Sequence, residues 1–194
     1  MAIPVQYGIR EVCDLKFYKL GTDGGKGDLA FEIDTAKTST LESATTTVYA
    51  QGGKGNPRLI AWEGERTLTF TVEDALISKE GLELLNGDVT ADDKIVIEPN
   101  KFASFYYVEA ESLMRKEVDG KDYPLTIVLP RVKIQSGFTM TMAPTGDPST
   151  FSYVMDAFPG KVGTAEAVTA DKTANTLKKV LCEMTISSKA VDEE

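Results

Sequence analysis

Threonines that alternate with large apolar residues set the first limit on what this chain can become. Residues 66–72 read RTLTFTV. Leu68, Phe70 and Val72 fall on one side of an extended strand, and Thr67, Thr69 and Thr71 on the other. Residues 137–142 (GFTMTM) and 149–155 (STFSYVM) repeat the alternation, and the intervening APTGDP, 143–148, is turn chemistry, so this pair predicts a β-hairpin. A period of two cannot line one face of a helix. It predicts a mainly β chain whose sheets keep one face dry and one wet.

Further strands are expected at 12–20, 29–33, 45–50, 58–62, 94–97, 102–111 and 177–186. Leu125, Ile127 and Leu129 alternate until Pro130, after which the apolar set resumes out of phase as Val132 and Ile134. A bulge or an edge position accounts for both the proline and the change of face. One short helix is expected. Ser78 is its N-cap, Ile77 and Leu82 stand at the staple positions, Leu82 and Leu85 form the buried stripe, and Asn86-Gly87 closes it. Residues 21–28, 35–43 and 159–174 read as long polar loops, the second as an extended Ser/Thr-rich arm. No interdomain linker breaks the 194 residues, which are expected to form a single domain, 1–194. No basic leader followed by an apolar stretch stands at residues 1–10, so no secretory signal is expected, and no apolar run approaches the roughly 18 residues of a membrane helix.

Composition then removes whole classes of chemistry. The chain has no histidine, which excludes Ser-His-Asp, Cys-His and zinc-histidine sites. Its net charge is -9, with Lys and Arg scattered singly, so it lacks the basic stripe that grips nucleic-acid phosphates. Cys13 and Cys182 sit in strand-like apolar contexts and read as two buried free thiols. The glycine-lysine stretches GTDGGKGD (21–28) and QGGKGNP (51–57) do not match a phosphate loop, since each lysine is followed by glycine and no helix starts there. They read as tight turns or contact loops, with Gly52, Gly53, Lys54 and Gly55 the candidate subunit-contact loop. Residues 88–93, DVTADD, lack the glycine and terminal glutamate of a calcium loop. The aromatic run FASFYY, 102–107, has only Lys101 beside it and reads as core or interface packing. Among the paired carboxylates, Glu109 and Glu111 lie at i, i+2 on an expected strand and therefore share a face, either solvated or lining a lumen. No catalytic residue, metal ligand or cofactor site is expected. Open strand edges are left, and pairing with further copies of the same chain is one way to cover them.

Residues 48–87, VYAQGGKGNPRLIAWEGERTLTFTVEDALISKEGLELLNG, resemble the tail tube (major tail) proteins of tailed bacteriophages, through the YAQGGKGNP loop, the WEGER turn, the TLTFTVEDALIS passage and the EGLELLNG helix. GFTMTMAPTGDPSTFSYVMDAFPG, 137–160, resembles the closing strands of that family. The resemblance covers about a third of the chain. It implies an antiparallel β-sandwich or barrel of two sheets with one short flanking helix and long loops. It also implies a non-enzymatic virion protein, assembled in the host cytoplasm into stacked six-membered rings that form a DNA conduit. The implied partners are other copies of the chain, a tape measure protein, a tail terminator, a baseplate or hub and a sheath, with no membrane and no specific DNA contact. A long loop or hairpin bridges to the next ring in this picture; 35–43 and 159–174, which lack counterparts, compete for that role. An acidic wall, to which Glu109 and Glu111 are assigned, would let a polyanion slide rather than bind. Competing readings are another tube-fold component of a tail or injection device, and a carbohydrate-binding or adhesin β-sandwich.

Overall fold

The computed structural model describes residues 5–9, 14–76, 78–86, 94, 99–100, 102–135, 151–162 and 179–191. Nine strands and one helix lie among them: β1 Tyr7–Ile9, β2 Asp14–Leu20, β3 Lys26–Ile33, β4 Ala36–Gln51, β5 Arg58–Asp74, α1 Lys79–Asn86, β6 Phe105–Lys116, β7 Asp122–Ile134, β8 Phe151–Ala157 and β9 Glu183–Ile186. Every pairing is antiparallel. The main path runs β3-β2-β6-β7-β8-β5-β4, with β1 on β6 and β9 on β7. β1 and β2 occupy successive stretches of the same edge of β6, and β8 and β9 do the same along β7. The central β6–β7 hairpin is thus flanked on both sides by interrupted strands.

The path does not lie flat. β3 and β4 stand at its opposite ends, yet only Asp34 and Thr35 separate them in sequence. Three trans peptide steps reach no more than about 11 Å, so the sheet must curl until its two ends meet at this corner. Asp74 at the end of β5 latches the corner. It is 3% exposed, and its carboxylate accepts from the Thr35 hydroxyl at 2.5 Å and the Leu76 N–H at 3.2 Å. The Ala75 N–H donates to the Thr35 carbonyl at 3.1 Å. One core fills the concave side. Leu15, Phe17 and Ile33 from one end of the path join Phe70, Val72, Phe151, Tyr153 and Met155 from the other, with Val108, Leu129, Val132 and Ile134 between them. The fold is therefore mainly β and antiparallel with one short helix, as expected. The strands are hydrogen-bonded into one curled, unclosed sheet, consistent with the sandwich-like fold that the resemblance implied.

α1 packs against β3. Ser78 caps it as the sequence predicts, its hydroxyl accepting from the Gly81 N–H at 3.0 Å. Leu82 and Leu84 are buried; Leu84 was not part of the expected stripe, and the Leu85 side chain, with Ile77 and Gly87, lies outside the described residues. A side chain at Gly81 would strike the Tyr153 hydroxyl, a buried group with no hydrogen-bond partner among the described residues.

Pro130 marks a bulge. Val108 pairs with Leu129 and Tyr106 with Val132, so β7 carries an extra residue there and its buried set changes parity. A proline has no N–H to lose at such a position. Two expectations are corrected. Residues 35–43 are not a loop or arm: 36–43 form the first half of β4, paired residue by residue with 68–74. Its serines and threonines fill the wet side and an edge rather than a flexible segment. The WEGER segment is not a turn. β5 runs unbroken through it, with a register shift between Thr45 and Thr47 opposite residues 63–66. Gly64 faces Thr46 so closely that a Cβ would meet the Thr46 backbone carbonyl at 3.1 Å, so the glycine permits a bulge, not a reversal. The 94–97 strand, apart from Lys94, the 137–142 strand and its 143–148 turn, and most of the 159–174 loop lie outside the described residues, as does Cys13.

Candidate assembly surface

The second half of the β4–β5 hairpin leaves the body of the fold. Residues 42–49 and 58–67 are all exposed, whereas β5 alternates buried positions only from Leu68 onward. At about 3.3 Å per residue, 58–67 form an arm roughly 30 Å long. Its cross-strand pairs sort its side chains. Val48 lies opposite Trp62 and Ala50 opposite Ile60, which places all four on one face. That face is apolar and open to solvent: Val48 is 60% exposed, Ile60 54% and Trp62 53%. The other face carries Thr47, Tyr49, Ala61 and Glu63, with the Arg58 guanidinium stacked 4.2 Å from the Tyr49 ring centroid.

Gly52, Gly53, Lys54 and Gly55, expected to form a contact loop, cap this arm. The Gly52 N–H donates to the Pro57 carbonyl at 3.3 Å and the Asn56 N–H to the Gly53 carbonyl at 3.1 Å. Gly53 at φ 83° and Gly55 at φ 88° take the left-handed backbone that other residues resist, and Lys54 is presented at the tip, exposed. The sequence thus located the loop but not the 30 Å stalk beneath it.

Glu109 and Glu111 do share a face, the outer side of β6. Each has a lysine partner from a distant part of the chain. Lys26 Nζ lies 2.7 Å from Glu109 and 4.0 Å from the Tyr18 ring centroid; Lys16 Nζ lies 3.4 Å from Glu111 and 3.9 Å from Glu32. Burial alone pulls Lys26 down, but the hydrogen bond and charge of Glu109 outweigh it and hold the ammonium above its ordinary range. The Glu111 carboxylate raises Lys16 in the same direction. Asp14 stands directly opposite Glu111, so this patch sets four carboxylates, Asp14, Glu32, Glu109 and Glu111, against two lysines, Lys16 and Lys26. Tyr107 lies on the same outer face and is buried against Tyr18, ring centroids 6.3 Å apart.

β9 is the second open place. It pairs with β7 through Leu125–Ile186 and Ile127–Met184, so Met184 and Ile186 are on the core side, yet they are 56% and 40% exposed. The alternation of Val180, Cys182, Met184 and Ile186 marks this strip in the sequence, but neither its exposure nor that of the arm's apolar face is legible there. A run such as RLIAWEG reads like an ordinary buried strand, and nothing local says that no core lies behind it. Beside β9, Cys182 is a half-buried free thiol. Burial, aided by the Glu183 charge, pushes it up to about 11 from 9.0. In a Cys13→Ser chain its alkylation by iodoacetamide at pH 8 should run about a hundredfold slower than that of a thiol at the ordinary value, and climb about tenfold per pH unit toward pH 10. A fast, pH-independent reaction at pH 8 would show that the thiolate is not disfavoured.

Among the described residues no three His, Cys, Asp or Glu side chains are grouped to hold a metal, and no helix is long and apolar enough to cross a membrane. Among the described residues the fold displays a projecting strand pair, several unpaired edges and an acidic patch on β6, surfaces that can pair with another chain. The model of the YomU/Tube protein family matches this chain over residues 7–91 and 88–173, and the chain belongs to that family. It is thereby a phage tail tube-type structural protein, a component of the virion tail. Among curated proteins none matches it significantly.

Proposed function

We propose that the chain self-assembles into stacked, hexameric rings whose shared channel conducts DNA during ejection. The observation that carries this reading is the arm. A two-stranded hairpin is marginal in water by itself, and this one exposes Val48, Ile60 and Trp62 on a single face. Such a strip gains its stability when another surface covers it, and an assembling subunit meets another copy first. Inter-ring bridging, for which 35–43 and 159–174 were considered from sequence, is assigned in this proposal to the hairpin of residues 44–67. The tape measure protein, terminator, hub and sheath are the further partners of the same tube. Negative-stain microscopy of the purified chain at rising concentration tests the proposal: rings or tubes with a central channel are expected, and compact single particles at every concentration would refute it.

The outer face of β6 is proposed as lumen wall, where a net acidic patch keeps a polyanion mobile. Glu111 is the residue to reverse, since its ion pair is exposed and worth less than about 1 kcal/mol. Glu111→Lys should leave tubes and thermal midpoint intact while slowing genome ejection several-fold. Glu109→Lys is less informative, because it sets a second ammonium against the half-buried Lys26 and should cost about 1–3 kcal/mol of stability. If Glu111→Lys abolishes assembly while the chain stays folded, this face is an interface and not a wall.

A further inference from the structure

The arm's apolar face needs an acceptor, and β9 has the matching vacancy. The Ser187 N–H donates to the Pro124 carbonyl at 2.8 Å. By the alternation of antiparallel ladders, Glu183 and Thr185 therefore also turn their backbone groups toward β7, and Met184 and Ile186 turn theirs to the opposite edge. Among the described residues nothing pairs with that edge. The gap has a structural origin. β8 and β9 follow one another along β7, but of these two β5 pairs with β8 alone, from Thr69 onward, and its earlier half departs as the arm. Each copy's arm thus turns away from the side of the strand that β9 continues.

We infer that β4 of a second copy's arm adds to the open edge of β9 in antiparallel register, with Val48 beside Ile186 and Ala50 beside Met184. This rests on the self-assembly reading above and names the surface that would receive the arm. β4 is suited because its outer edge is free along its length, β5 being its one partner among the described residues. Strand addition satisfies backbone groups on both copies and lays the face of Val48, Ala50, Ile60 and Trp62 next to the exposed Met184 and Ile186. Charges fix the direction. Antiparallel placement brings the arm tip, with Lys54 and Arg58, toward Glu183. Arm and edge are different surfaces, so the contact is head-to-tail and, as the inter-ring bridge proposed above, propagates from ring to ring along the stack instead of stopping at a dimer.

A charge-swap cycle tests this. Val48→Lys and Ile186→Glu, each alone, should weaken self-association by about tenfold or more, because each brings an unpaired charge into an apolar contact. Both residues are exposed in the lone chain, so thermal midpoints should hold. A chain carrying both substitutions should recover association to within a few-fold of the parent. Weak association in both single variants without recovery in the double overturns the pairing and leaves self-assembly standing. A parent chain that never associates overturns this inference and the tube reading together. Should either variant fail to fold, chains bearing Cys13→Ala and Cys182→Ala with Val48→Cys, mixed with equivalent chains bearing Ile186→Cys and oxidised, give the second readout. Disulfides between the two kinds support the pairing; only like-with-like disulfides, or none in assembled material, exclude it.

Discussion

Excising residues 45–66 and joining Ala44 to Thr67 through an Asn-Gly turn should yield a folded monomer that no longer forms tubes. Ala44 and Thr67 are cross-strand partners, so a two-residue type I′ turn closes the shortened hairpin in register. Nothing in the core is lost, since β5 buries its first side chain at Leu68. Cooperative unfolding should therefore persist with a midpoint close to the parent's. The assembly loss is large for the same reason that the fold survives. Val48, Ile60 and Trp62 are about half exposed, and covering what remains of the three is worth on the order of 3 kcal/mol. That is over a hundredfold in each arm contact, compounded around a ring. Sedimentation velocity and calorimetry on the same preparation check both halves. Tubes formed at parental concentration by the shortened chain would remove the arm from the assembly surface.

The sequence made some of this legible and hid the rest for identifiable reasons. Thr67, Thr69 and Thr71 against Leu68, Phe70 and Val72 announce a strand with two unlike faces, and the phase slip at Pro130 announces a bulge, because both are local patterns with period two. Ser78 announces the helix start by the same locality. What failed was anything that depends on what stands behind a strand. Residues 36–43 look like a loop because their apolar content is low, yet pairing with 68–74 holds them in the sheet. Val48, Ile60 and Trp62 look like core because their apolar content is high, yet no core is present at that height of the hairpin. Glu109 and Glu111 were seen to share a face, but Lys26 and Lys16 lie 83 and 95 residues away in sequence, and only the register of β2 and the start of β3 bring them near. The curl of the sheet has no local signature, because it follows from a two-residue link that joins the ends of a seven-strand path.

That link makes Asp74 the residue whose loss should most weaken the lone chain. Its carboxylate, itself 3% exposed, ties β5 to the β3–β4 corner through the Thr35 hydroxyl and holds the Leu76 N–H. Asp74→Ala removes the buried acceptor that the half-buried Thr35 hydroxyl and the Leu76 N–H share. Hydrogen bonds to a charged group are worth about 1.5–3 kcal/mol each, so a loss of about 3 kcal/mol is expected, and at this chain length the midpoint should fall by roughly 6–12 °C. Asp74→Asn retains one acceptor oxygen and should lose less than half as much. The Thr35→Val chain removes the donor and strands the carboxylate, so it should be nearly as unstable as Asp74→Ala, and combining the two should cost less than their sum, since they break one bond from both sides. Below its midpoint the Asp74→Ala chain should still assemble, because the arm and β9 lie elsewhere on the sheet. Guanidinium unfolding measures the stabilities. If Asp74→Ala falls within about 0.5 kcal/mol of the parent, the corner does not hold the curl, and core packing across Ile33 and Phe70 must do so unaided.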